Sequence, residues 1–512
     1  MNKKLVLSKS EYMMYLKHPA YLWIKKHDKN KIPPVSADLQ AMFDAGNEFE
    51  QYAESLFPDG VRVGFNDYNE YLSMPSRTQQ ELEKGTKTIF QGRFEHEQTT
   101  FICDVLKVTG KNEVDLYEIK SSTGVKLEHI LDLAYQTTVL EDCGYIVNDI
   151  YVVHVDNSYV RNGEIDSKQI TSTANVTEDV KKELSRTRRN IKDAISVMEQ
   201  GEMPDPSPAR CKLNSLKEWL EVYKNIKPIE EGSIYELCRL NADTVRLLEE
   251  EGVSKLKDIS LSLIDNEKQR WQLEALDKGE PIYDKDRIKK FLSKLQYPLY
   301  FFDYETLGSC VPYFDGTKPY QQIPFQYSLH VIESPGGELK HMGYLKTDNS
   351  NPAESLSKTL KEQIGEKGSI IAWNMSFEKM CNTTLGNMAP EYKEFYEALN
   401  SRMADLMIPF SKGYYIDSRF GGSASIKNVL PVLVPELSYK ELGIKEGGSA
   451  QRSWMDAVLY EKRQDKDLVL KDLEEYCKLD TLAMVEIYNF LTKLVAGENG
   501  SLAKPEQLAI DL

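Results

Sequence analysis

Tyr297-Pro298-Leu299-Tyr300-Phe301-Phe302-Asp303-Tyr304-Glu305-Thr306 is an apolar, aromatic run that ends in two acids one residue apart. Its composition and length predict a buried strand. Side chains alternate between the faces of a strand, so Asp303 and Glu305 leave the same face. Far downstream, Tyr476-Cys477-Lys478-Leu479-Asp480 falls in a helical pattern. Tyr476 and Asp480, four residues apart, share one side of that helix. Three carboxylates and a phenol can then converge, and such a cluster can hold two divalent ions about 3.5–4 Å apart against a phosphodiester. Taken alone, Asp-x-Glu reads as a solvated strand end; the distant Tyr-x-x-x-Asp is what argues for a site.

The pattern resembles the DEDD superfamily of 3′-to-5′ exonucleases, in the subtype that carries Tyr before the last Asp, and the resemblance covers residues 291 to 494. It implies an RNase H-like sheet flanked by helices, with two Mg2+ or Mn2+ ions held by Asp303, Glu305, Asp480 and a fourth acid. The family places a motif Asn-x-x-Phe-Asp between the two ends, and Asn374-Met375-Ser376-Phe377-Glu378 stands there with Glu in place of Asp. Glu378 is therefore expected as the fourth ligand. Asp405, in Arg402-Met403-Ala404-Asp405-Leu406, competes for that role or supports the ligands from behind. A tyrosine hydroxyl ordinarily titrates near about 10, so Tyr476 is assigned the orientation of an attacking water rather than its full deprotonation. The runs Pro319–Ser328 and Ser423–Pro431 resemble a bacterial family of uncharacterised RNase H-like domains, typically fused behind a RecB-like nuclease.

The first half of the chain can be read with that fusion in mind. Phe101–Val108 predicts a strand, Thr109-Gly110-Lys111-Asn112 a turn, and Val114–Ser122 the returning strand. Glu118 and Lys120 then point the same way while Ile119 packs behind. Asp104 on the neighbouring strand can complete a metal site, with the Ile119 carbonyl as an extra ligand, and Lys120 can orient water and offset charge on a phosphate. The alternative is an ordinary solvent-facing hairpin. The pattern resembles the RecB-like branch of the PD-(D/E)XK nucleases. That branch carries a Gln on the helix after the hairpin, matched by Gln136 in the stretch His129–Glu141, and a Tyr four residues later where this chain has Leu140. Its first motif is matched by Ala45-Gly46-Asn47-Glu48-Phe49-Glu50, with Glu50 where many relatives place a metal-binding His. A Glu can ligate Mg2+ or Mn2+ through oxygen.

RecB-like relatives often hold an iron–sulfur cluster, which needs four thiolates. Here His18-Pro19 occupies the N-terminal Cys position, and after the core only Cys211 remains. The seven cysteines show no Cys-x-x-Cys spacing, so no cluster is expected, and no disulfide framework is visible either.

At 512 residues the chain is too long for one core. The expected division is a RecB-like PD-(D/E)XK domain over 1–225, a helix-hairpin-helix-like connector over 226–290, an RNase H-like domain over 291–494 and a tail over 495–512. In the connector, Ser233–Cys238 is followed by amphipathic stretches on either side of a turn at Gly252. Glu249-Glu250-Glu251 makes it a poor phosphate surface, so a packing role is expected. A net charge of −16 excludes a non-specific nucleic-acid coat, but a nuclease needs only clustered acids, metal ions and a local basic groove. The lysines from Lys3 to Lys31 are one candidate groove, although a solvated face is the simpler reading. No run reaches the roughly 20 apolar residues of a membrane span, and the N-terminus lacks the apolar core of a secretory signal. A cytoplasmic, membrane-free enzyme is expected. The RecB-like resemblance implies DNA rather than RNA as substrate, in repair or in defence against foreign DNA. An RNA-processing exonuclease and a non-enzymatic nucleic-acid scaffold with degenerate sites are the alternatives.

Overall fold

The computed structural model describes residues 5–35, 37–437 and 447–497, so Lys3, Lys4 and the tail from residue 498 onward lie outside it. The chain divides into two mixed α/β units. One comprises the first 231 residues with Leu240–Gly252 and Ser309–Tyr320; the other comprises Gly232–Arg239, Val253–Gly308 and the chain from Gln321 onward. The stretch expected as a separate connector is therefore shared between the units, and Ser309–Tyr320, expected in the C-terminal domain, belongs to the first. Among the described residues no helix is long and apolar enough to cross a membrane.

In the first unit, α1 (Lys9–Lys17) starts at Ser8, whose hydroxyl accepts the Glu11 N–H while the Glu11 carboxylate accepts the Ser8 N–H. This reciprocal capping satisfies two of the donors that a helix start leaves orphaned. It is followed by α2 (Pro19–His27) and α3 (Ala37–Glu54). The main sheet contains β1 (Val61–Arg62), β2 (Thr88–Phe90), β3 (Val105–Gly110), β4 (Glu113–Lys120), β5 (Ile146–Val155) and β6 (Thr171–Asn175), in that spatial order. β2, β3 and β4 are antiparallel neighbours, whereas β4 and β5 are parallel. A parallel pair needs a crossover, and α4 (Leu127–Asp142) provides it.

Phe101–Val108 is not the single strand expected. Thr99–Ile102 joins a small sheet with Leu7–Ser8 and Arg93–His96, and the chain changes partners before β3 begins. Cys103 N–H donates to the Gly92 carbonyl, and the Asp104 carbonyl accepts the Gln91 N–H. Asp104 therefore sits at the break. One face of the main sheet packs Leu106, Leu116 and Val152 against Leu133 and Val139 of α4 and against Val180 and Ile191 of α5 (Thr177–Glu199). The other face packs Val105, Ile119 and Val153 against Phe49 of α3. Each such side chain contributes about 1.5–3 kcal/mol on full burial.

The second unit is centred on β7 (Leu299–Leu307), the strand predicted from the apolar run. With β8 (Ile323–Ile332), β9 (Leu339–Leu345), β10 (Ser369–Ala372) and β11 (Met403–Asp405) it forms a sheet in the order β9-β8-β7-β10-β11. The first three of these pair antiparallel; β10 and β11 run parallel to β7. Side chains of β7 alternate strictly. Tyr300, Phe302 and Tyr304 pack with Leu385 of α6 (Met375–Met388), whereas Leu299 and Phe301 pack with Val429 of α7 (Ile426–Leu433) and Met484 and Ile487 of α8 (Lys466–Ala496). The alternation sends Asp303 and Glu305 to the α8 side.

The paired helices expected around Gly252 do not form. Ala242–Glu250 is an α-helix, but the stretch expected to pair with it across Gly252 makes short 3-10 turns at Leu256–Asp258 and Leu261–Leu263, and the next α-helix begins at Glu267. Ser260 accepts the Ser262 N–H and starts the second of these, which interrupts the apolar pattern.

Candidate active sites

In the first unit Glu118 is the hub, buried near the end of β4. Its Oε1 accepts from Lys120 Nζ at 2.6 Å and from Lys9 Nζ at 2.8 Å, and its Oε2 accepts from Gln136 Nε2 at 2.7 Å. Gln136 also donates to Asp132 Oδ1 at 3.1 Å, and Asp132 Oδ2 lies 3.6 Å from each lysine. Asp104 Oδ2 accepts the Ile119 N–H at 2.7 Å. Ile119 thus anchors Asp104 through its amide N–H.

Burial pushes Asp104 up to about 7, with Glu118 adding to the shift and the two lysines opposing it. Burial also works against charge on Glu118, but Lys120 and Lys9 outweigh it and hold this carboxyl well below the usual range. Burial penalises the lysines as well, yet Asp132 and Glu118 outweigh it at Lys9, and Glu118 does so at Lys120, so both stay firmly protonated. The site is a network of buried carboxyl and ammonium groups, expensive to bury unless every member is paired.

Glu50 is not drawn into this network. It accepts from Gln91 Nε2 at 2.8 Å and stands 3.9 Å from the Arg62 guanidinium, and among the described residues neither Asp104 nor Glu118 is its partner. The lysines of α1 and α2 do not form one groove either. Lys17 pairs with Glu218 and Lys26 with Glu11, each at 2.7 Å. At the start of α2, His18 Nδ1 accepts the Ala20 N–H, which leaves Nε2–H to donate to the Ser207 carbonyl. The ring stacks on Trp219 with centroids 3.9 Å apart, and Cys211 is a buried free thiol.

In the second unit, Asp303, Glu305 and Cys477 bring one potential ligand atom each within 4.8 Å of one another. Burial pushes Asp303 well above the carboxylate range, and Asp480, Glu378 and Glu305 push it the same way. Burial and then Asp480 do likewise to Glu305, with Lys427 of α7 opposing. Glu378, in the first turn of α6, is driven by burial up to about 8. Its Oε2 is buried with no hydrogen-bond partner. An orphaned carboxylate oxygen beside further buried acids is what a bound cation would satisfy, so the donor set fits hard divalent ions.

A polar ladder along β8 places α8 over these acids. Ser328 lies opposite Asp303 and Gln326 opposite Glu305. Gln326 donates to the Leu473 carbonyl at 2.8 Å, and Ser328 and His330 meet the Thr481 hydroxyl at 2.7 and 2.8 Å. Thr481 adjoins Asp480, so the ladder fixes that turn of the helix. Tyr476 is buried, and Lys427 Nζ lies 5.9 Å from its ring centroid. Asp405 ends β11 and accepts the N–H groups of Asn374 and Met407 at 3.0 and 2.9 Å. Asn374 has φ +68°, a left-handed conformation that Asn tolerates. Asp405 therefore holds the turn that launches α6.

Four residues of these sites were not singled out from sequence: Lys9, Asp132, Lys427 and Cys477. Asp132 had a signal, because it lies one turn before Gln136 and is flanked by the apolar residues Ile130, Leu131, Leu133 and Ala134.

A family model described as a domain of unknown function (DUF2779) matches residues 300–425, which include Asp303, Glu305, Glu378 and Asp405. An uncharacterized protein of Mycoplasma pneumoniae is 25% identical over 308 residues, covering 56% of this chain and 44% of that protein. One of Mycoplasma genitalium is 25% identical over 244 residues, covering 44% and 36%. The chain thus spans less than half the length of these curated relatives. Among solved structures, a phage-related exonuclease from Haemophilus somnus is similar over 38% of this chain and 98% of its own, with 12% identity and a TM-score of 0.16.

Proposed function

We propose that this protein is a metal-dependent nuclease with two phosphodiesterase sites, acting on DNA in repair or in defence against foreign DNA. In this reading the second unit is an RNase H-like DEDD exonuclease of the Tyr subtype and the first a RecB-like PD-(D/E)XK nuclease. The observation that carries it is the gathering of Asp303, Glu305, Glu378 and Asp480 from three distant segments into one partly buried, mutually repelling cluster. A fold gains nothing from such a cluster on its own, since buried like charges oppose folding. The sheet order β9-β8-β7-β10-β11, with acids on its central strand, supports the same reading. In the first unit, Glu118 and Lys120 on one face of β4, and Gln136 on the crossover helix, support the second assignment.

Asp303, Glu305, Glu378 and Asp480 would hold two Mg2+ or Mn2+ ions, and Asp104 and Glu118 would hold the ion of the first unit. Bound there, divalent ions supply positive charge to the phosphate and lower the pKa of the attacking water. Around them, Tyr476 orients that water through its hydroxyl, and Asp405 keeps the α6 turn in place. In the first unit Lys120 orients the water and offsets charge developing on the phosphate, while Gln136 holds the second oxygen of Glu118. DNA as substrate rests on the RecB-like resemblance rather than on the chemistry of either site.

The test is digestion of matched single-stranded and duplex DNA and RNA with Mg2+, Mn2+ or EDTA. Cleavage of DNA that needs the metal and stops with EDTA is expected. No cleavage of any strand under any of these conditions would overturn the reading.

A further inference from the structure

We infer that Lys9 stands in the first unit where a second divalent ion would otherwise sit, so that this site works with one ion while the second unit takes two. The inference rests on the reading of Glu118 and Lys120 as part of a nuclease site.

Lys9 and Lys120 are near-equivalents from unrelated elements. Both bond the same oxygen of Glu118, at 2.8 and 2.6 Å, and both lie 3.6 Å from the same oxygen of Asp132. Lys120 arrives on the central hairpin; Lys9 arrives on the first turn of α1, more than a hundred residues earlier. Its approach is rigidly set. Ser8 and Glu11 cap the helix reciprocally, Leu7–Ser8 pairs in parallel with Thr99–Thr100, and Lys26 occupies the Oε1 of Glu11 at 2.7 Å. Lys9 is thus left to Glu118 and Asp132. Its side chain is 24% exposed and Glu118 only 1%, so the pair is not a solvated surface bridge of negligible worth.

Charge balance separates the two sites. In the first unit three acids, Asp104, Glu118 and Asp132, face two lysines, so that with all three acids ionised one net negative charge is left for a cation to answer. In the second, four acids gather and, among the described residues, Lys427 is the cation that acts on Glu305. One divalent ion suits the first and two the second. When Lys120 turns to the substrate, Lys9 still pairs with Glu118 and Asp132. Asp104 and the remaining lone pairs of Glu118 are then free for a single ion. Lys9 acts through Glu118 and is a positioning residue.

The test uses the full chain carrying Asp303→Asn and Asp480→Asn to silence the second unit. Mn2+ titration calorimetry with and without Glu118→Gln counts the ions that belong to the first unit. One ion is expected with Lys9 intact. Lys9→Met should raise the count to two and lower single-turnover cleavage about 10²-fold; Lys9→Arg should keep one ion and most of the activity. Two ions with Lys9 intact, a count that stays at one in Lys9→Met, or undiminished cleavage in Lys9→Met each overturn the inference. Should Lys9→Met fail to fold, the count in the protein with Lys9 intact still decides. If Lys120→Ala abolishes cleavage while Lys9→Met does not, only the role of Lys9 falls. If Glu118→Gln and Lys120→Ala change neither cleavage nor Mn2+ binding, the nuclease reading of this site falls and takes the inference with it.

Discussion

Gln136 donates to Glu118 Oε2 across 2.7 Å and so ties the crossover helix to the strand that carries the Glu-x-Lys pair. Glu118 is buried, and the lysines occupy its other oxygen. Gln136→Ala leaves one oxygen of a buried carboxylate short of its donor, a loss of about 1–3 kcal/mol. Urea unfolding should register it, together with slower cleavage by the first unit. A variant as stable and active as the parent would show that this bond does not position Glu118.

The two acidic constellations use different strands, helices and cations, and each is complete within its own unit. Glu118→Ala or Lys120→Ala should therefore remove one class of cleavage product and Asp303→Ala the other. Product ladders from end-labelled DNA would distinguish them. If any one of these changes stopped all cleavage in a folded protein, independence of the sites would be untenable.

β7 was legible because an aromatic, apolar run with two acids at period two allows little besides a buried strand with one polar edge. Gln136 was legible only through the RecB-like resemblance. Lys9 was not, because its partner Glu118 lies 109 residues away and nothing local distinguishes a lysine at a helix start from a solvated one. Asp132 was masked by the same prior, since an acid on a helix usually faces water. The break at Asp104 was missed for another reason. Strand propensity describes a residue's fit to a pleated surface and says nothing about which strand it will pair with.

Burial pushes His18 down to about 4, against the opposing Ser207 carbonyl bond. The folded value lies below the ordinary 6.5, so the unfolded chain takes up the proton first as pH falls. This contribution to stability is complete above about pH 6.5 and is lost toward about pH 4, by roughly 3 kcal/mol at most. His18→Asn keeps a capping side chain for α2 and cannot titrate. Between pH 7 and 4.5 its melting temperature should fall less than that of the parent. Parallel falls in both proteins would remove His18 as the cause.

Glu378 is one of the mutually repelling acids, and its Oε2 has no partner. Above about pH 8, where Glu378 is ionised in the absence of metal, Glu378→Gln removes a charge and lets an amide donate to neighbouring carboxylates. In EDTA the variant should melt about 2–4 °C higher for each kcal/mol relieved, and Mn2+ should raise its melting temperature less than it raises the parent's. A full Mn2+ shift in the variant would exclude Glu378 as a ligand and shift the role to Asp405.

Tyr476 and Asp303 should separate positioning from metal binding. Tyr476 is buried on α8 one turn before Asp480, with Lys427 Nζ 5.9 Å from its ring centroid. If its hydroxyl only orients the attacking water, Tyr476→Phe should lower turnover about 10²–10³-fold, the usual cost of one positioning hydrogen bond, with Mn2+ affinity nearly unchanged by calorimetry. Asp303→Asn should lose metal binding and activity together, because a central carboxylate neutralises both ions. Both comparisons need the Lys120→Ala background, or cleavage by the first unit would hide the loss. Full activity of Tyr476→Phe in that background would make Tyr476 a packed helix residue, and the exonuclease reading of α8 would then rest on Asp480 alone.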